Sequence, residues 1–163
     1  MQPASLIKYE TLFAEASENP EVFSEVFELM FDADEKIAWR ASWICEKVSE
    51  RSPHFYSEKN LERIILLATS TLFTGLQRLL LSIIFNLDLP ENVSVEFINT
   101  CFERMVSLKS PVAVQVLSMK ILYKFTKREP DFKGELKNYL ESVDIENYSA
   151  GYRSARKIIL KKL

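Results

Sequence analysis

Apolar residues recur along this chain at three- and four-residue intervals, and each such run stops at a short polar break. Val22, Phe23, Val26, Phe27 and Met30 share one stripe. Ile37, Ala41, Ile44, Cys45 and Val48 form another, spaced i, i+4, i+7, i+8, i+11. That spacing is one face of a helix and not the alternation of a strand. The pattern predicts nine helices. They run from Ala4 to Ser17, from Glu21 to Phe31, from a cap at Asp34, and from a cap at Ser57 to near Thr71. The next three cover 75–87, 93–108 and 112–127, the last opened by Ser110 with Pro111 at its first helical position. The eighth covers 132–143 and the ninth starts at Ser149. Segment 75–87 is apolar on nearly every side, which predicts a helix buried in the middle of a stack.

The breaks are themselves periodic. Prolines mark them at Pro20, Pro53, Pro90 and Pro130. The second helix of each pair aligns on Arg40, Arg78, Gln115 and Arg153, at intervals of 38, 37 and 38 residues. A repeat of that length is the mark of stacked helical hairpins, which cannot bury their apolar faces singly. The fold expected is all-α: a right-handed α-α superhelix of about four hairpins behind one leading helix, in a single domain over 1–163.

Asp34 followed by Trp39-Arg40 resembles the Asp-then-Val-Arg spacing that opens the inner helix of HEAT repeats. Arg78 and Arg153 match that arginine, Gln115 does not, and only the first unit keeps the aspartate. Three stretches, Ile37 to Val48, Ser110 to Tyr123 and Ala155 to Leu163, look like a family of small bacterial HEAT-like proteins. The resemblance implies a HEAT- or armadillo-like binding scaffold, with the third, fifth, seventh and ninth helices on its inner face.

Composition fits this and excludes much else. The chain is 47% hydrophobic and 27% charged, enough apolar material for a core. Three glycines are too few for an all-β chain or a glycine-built phosphate loop. The first residues lack a basic segment followed by an apolar run, so no secretory signal is expected. The longest apolar run, 79–87, is far short of the roughly 20 residues of a membrane span. Cys45 and Cys101 sit in helical apolar stripes without metal-ligand spacing, which predicts buried free thiols and a cytoplasmic setting. His54 is the single histidine and has no nearby partner for catalysis or zinc. No catalytic residue, metal site or cofactor is expected, and the chain reads as non-enzymatic.

Charge placement is the remaining signal. Net charge is −2, yet the four expected inner helices with their flanks carry 14 basic and 5 acidic residues, and the outer ones 5 and 12. Lys120, Lys124 and Arg128 recur at i, i+4, i+8, as do Arg153, Lys157 and Lys161, so each trio forms a ridge. With Arg40, Arg78 and Arg156 they predict a cationic strip that steers an anionic partner. An acidic protein or peptide fits it, with no membrane involved. The alternative is nucleic acid, as in HEAT-like DNA glycosylases for alkylated bases, with Trp39 and Trp43 beside Arg40 as stacking candidates. A pI near 5.6 and the usual packing role of such tryptophans weigh against it.

Overall fold

The computed structural model describes residues 4–163, with side chains from Lys8 onward. Met1 to Pro3 lie outside the described residues. The helices are α1 (Ala4–Glu18), α2 (Pro20–Glu28), α3 (Glu35–Arg51), α4 (Glu58–Ser70), α5 (Thr74–Asn86), α6 (Val95–Val106), α7 (Val112–Thr126), α8 (Phe132–Ser142) and α9 (Ala150–Leu160). Single 3₁₀ turns occupy Leu29–Phe31, Pro53–Phe55 and Ile145–Asn147. No strand occurs among the described residues.

Short polar side chains set the helix starts by accepting from backbone N–H groups that have no partner inside the helix. Asn19 accepts from Glu21 N with Pro20 at the first position of α2, and Asp34 accepts from Lys36 N at 2.8 Å. Ser57 and Asn60 form a reciprocal capping box on α4. Ser94 caps α6 by accepting from Phe97 N, which leaves Val93 outside the helix that its apolarity suggested. Ser149 caps α9 in the same way. Two ends depart from expectation. Pro111, at ψ 147, is the extended cap residue of α7 and not its first helical residue. The end of the second predicted helix tightens into the 3₁₀ turn because Asp32 turns extended.

The helices lie in two layers. Neighbouring odd helices pack in the order α1, α3, α5, α7, α9, while α4, α6 and α8 pack in sequence in the other layer. Each even helix also packs on the odd helix that follows it, so α2–α3, α4–α5, α6–α7 and α8–α9 are hairpins behind α1. The core lies between the layers. Phe27, Met30, Ile64, Phe97, Met105, Met119 and Tyr152 are fully buried there. In α5, Leu79, Leu80, Leu81, Ile83 and Ile84 are all at 0% exposure, as its position between α3 and α7 requires. Cys45 and Cys101 are free and buried, and burial pushes each thiol up from 9.0 to about 12.

Polar side chains tie the units together. Gln77 Nε2 donates to Thr71 O at 2.7 Å and Gln115 Nε2 to Ser107 O at 2.8 Å, each closing the joint of its own hairpin. Arg104 of α6 donates to Ala68 O and Thr69 O at the end of α4. These carbonyls have no acceptor role left inside their helix, and a cation is the favoured partner there.

Candidate functional site

On the face of the odd layer turned away from the core, α5, α7 and α9 enclose a groove of about 630 Å³. Its apolar surface comes from Phe85, Val116, Tyr123, Ala155, Ile158 and Ile159. Its charged groups are Lys120, Lys124, Lys127 and Lys162, and no carboxylate lines it. The placement follows from helical periodicity: Val116, Lys120, Tyr123, Lys124 and Lys127 fall on one face of α7. Ile158, 51% exposed, lies on the facing side of α9.

The ammonium groups are organised by aromatic rings. Lys120 Nζ stands 5.5 Å from the centre of the Phe85 ring. Tyr123 is approached by Lys127 at 5.2 Å and by Lys162 at 6.0 Å. A ring face attracts a cation through its quadrupole, so each lysine is held over the groove while remaining exposed. The groove thus offers apolar surface and positive charge together, and Lys120, Lys127 and Lys162 have no ion-pair partner among the described residues.

The predicted cationic residues do not share one role. Lys120 lines the groove, and Lys157 is exposed on α9. Arg128 and Arg156 hold backbone carbonyls, as does Lys124, which also lines the groove. Lys124 Nζ donates to Phe85 O and Leu87 O, with Asp88 at 3.9 Å, and burial pulls its pKa down while the Asp88 carboxylate opposes that. Arg128 donates to Leu89 O, Pro90 O and Glu91 O in the loop after α5. Arg156 Nε donates to Leu140 O of α8 at 2.6 Å. Arg153 lies 4.0 Å from Glu146. At the other end of the layer, Arg40 covers the Tyr9 ring at 5.8 Å, and Arg78 is half-buried without a hydrogen bond or ion pair among the described residues. Arg40 and Arg78 therefore stand apart from the groove.

Lys127 and Lys162 were not singled out from the sequence, and neither was the aromatic pair Phe85 and Tyr123. The available signal was the α7 stripe Val116, Lys120, Tyr123, Lys127, at i, i+4, i+7, i+11. The tryptophans are elsewhere. Trp43 is half-buried against the core, and Trp39 is 36% exposed with its Nε1 3.3 Å from where a Cβ on Gly75 would stand. Neither lines the lysine groove. His54 is exposed in the 3₁₀ turn after α3, edge-on to Phe55. Among the described residues no cluster of three or more His, Cys, Asp or Glu is placed to hold a metal ion, and no helix is long and apolar enough to cross a membrane.

A family model described as a HEAT repeat domain matches residues 2–163. No curated protein and no solved structure matches the chain.

Proposed function

Because the chain belongs to the HEAT repeat domain family, whose stacked hairpins serve as scaffolds for protein interaction, we propose that it is a non-enzymatic binding module for an acidic protein segment. The segment lies against the cationic face of α7 and α9. The observation carrying this reading is the groove itself: three exposed lysines, Lys120, Lys127 and Lys162, around Phe85, Tyr123 and Ile158, with no carboxylate among them. Apolar anchors supply affinity, and the surrounding charge supplies orientation and rate of encounter. Lys124, Arg128 and Arg156 keep their positive charge but spend their donors on backbone carbonyls, so they shape the field without reaching the partner. The buried, unpaired thiols fit a reducing compartment such as the cytoplasm.

A fluorescent helix-forming peptide with glutamates along one side and leucines along the other is a direct probe. Anisotropy should show binding that weakens about tenfold or more in Lys120→Glu/Lys127→Glu/Lys162→Glu. A duplex DNA of similar charge serves as the contrasting ligand. Unchanged peptide affinity in the triple variant would overturn this reading. Tighter binding of the duplex, with affinity falling steeply against log salt, would replace it with the nucleic-acid one.

A further inference from the structure

The two ends of the odd layer carry opposite charge. At one end, α1 turns Ala16, Ser17 and the half-buried Tyr9, Leu12 and Phe13 inward. Its exposed side carries Glu10, Glu15 and Glu18, with Lys8 as the single cation among its described residues. Exposed Glu21 and Glu25 of α2 continue that acidic surface. At the other end, α9 buries Tyr152 and Ile159, and ties Arg156 to α8. Its far side presents Arg153, Lys157 and Lys161, all exposed, one turn apart along the helix. None of these three lines the lysine groove, so the surface is separate from the site described above.

Solenoids need polar outer faces on their terminal repeats. A mixed face would satisfy that need; here each end is dominated by one sign, and the signs are complementary. We propose that a second copy of this chain is the partner of both ends, with the acidic side of α1 packing on the basic side of α9. The contact continues the odd layer from one copy into the next, so that α1 stands beside α9 as α3 stands beside α1. Existing partners do not block it. Glu18 pairs with Arg51 at 3.2 Å and Arg153 with Glu146 at 4.0 Å, both in solvent-exposed pairs that exchange readily. The contact is heterologous, so association grows head to tail and does not close on a symmetric dimer.

Sedimentation velocity on the full chain tests this. At roughly 20 mM salt the average sedimentation coefficient should climb with concentration, and at roughly 0.5 M salt, where the screening length is only a few ångströms, it should fall to the monomer value. Arg153→Glu/Lys157→Glu/Lys161→Glu should remain monomeric, as should Glu10→Lys/Glu15→Lys/Glu18→Lys, each with unchanged helical circular dichroism. An equimolar mixture of the two reversed variants should associate again, because each supplies the end the other lost. A wild-type chain that stays monomeric at low salt overturns the proposal. So does growth that halts at two copies, or association that either reversal leaves intact. Loss of peptide binding by the groove has no bearing on these outcomes, which keeps the two readings distinguishable.

Discussion

Arg128 reaches 38 residues back along the chain to Pro90, whose carbonyl oxygen accepts from Nη1 at 2.6 Å. The same guanidinium reaches Glu91 O at 3.0 Å. Arg104, on α6 of the same hairpin, does the equivalent at the end of α4, 2.6 Å from Ala68 O. In each case a cation on one hairpin satisfies carbonyls at the end or exit of a helix in the preceding hairpin. This is a seam between units, built from charge and backbone.

Removing such a seam should be measurable. Arg128→Ala is expected to cost about 1–2 kcal/mol, since its carbonyls are near solvent and water replaces part of what is lost. Arg104→Ala should cost more, about 2–3 kcal/mol, because the carbonyls at the end of α4 are then left less accessible to water. Urea unfolding midpoints would show both. Since the two arginines serve different joints, the double variant should lose nearly the sum.

Gly134 and Gly75 offer a contrasting pair. A Cβ on Gly134, exposed in the first turn of α8, would meet nothing within 4 Å. Gly134→Ala should therefore raise stability by about 0.5 kcal/mol by restricting the unfolded chain. A Cβ on Gly75 would sit 3.3 Å from both the Phe73 ring and Trp39 Nε1. Gly75→Val should lower the thermal midpoint, because its added methyls have to displace the indole. Equal behaviour of the two variants would show that the Trp39 contact is not as close as described.

Tyr152 is fully buried and stacked on Tyr148 with ring centres 4.2 Å apart, yet its hydroxyl has no hydrogen-bond partner among the described residues. An unpaired buried hydroxyl costs free energy without a compensating bond. Tyr152→Phe keeps the ring and removes that cost, so it should stabilise the chain by about 1 kcal/mol in urea melts. Tyr148→Phe should do the reverse, because its hydroxyl donates to Val106 O at 2.5 Å and anchors the loop before α9 to the end of α6.

Much of this architecture is written locally. Asp34, Ser57 and Ser149 mark helix starts by the chemistry of their own side chains, and the structure uses all three as caps. The all-apolar stretch of α5 announces its central place in the same local way. The repeat alignment was off by one residue in the second unit. The side chains that act alike are Gln77 and Gln115, both closing their hairpin joints, and Arg78 beside Gln77 makes no such bond among the described residues. Spacing along a helix does not reveal which neighbour turns toward a carbonyl. For the same reason the ridge Lys120, Lys124, Arg128 looked uniform, whereas the structure commits the last two to backbone oxygens 37 to 39 residues earlier. Backbone acceptors carry no residue signature, so that commitment has no trace in the sequence. The groove combines Phe85 of α5 with Tyr123 of α7 and Ile158 of α9, and only the stacking of three units brings them together.

The two thiols make a prediction about alkaline pH. Burial raises Cys45 and Cys101 from 9.0 to about 12 in the folded chain, whereas in the unfolded chain both ionise near the ordinary value. Below pH 9 both forms hold the protons, and the stabilising contribution is complete. Between about pH 9 and 12 the unfolded chain gives up protons that the folded chain retains, so stability falls as pH rises, by up to about 1.4 kcal/mol per pH unit for each thiol. The tyrosines add to this slope at the upper end, since burial also raises Tyr152 to about 12. Cys45→Ala/Cys101→Ala should be less stable at pH 7 because of the lost packing, yet lose less further stability between pH 9 and 11 than the parent chain. Urea melts at several pH values give both slopes. A thiol reagent gives an independent reading: modification of the native chain should proceed only as fast as the structure opens. Rapid labelling of either cysteine in the folded protein, or parallel pH slopes in the two chains, would place the thiols closer to solvent than their burial between the layers allows.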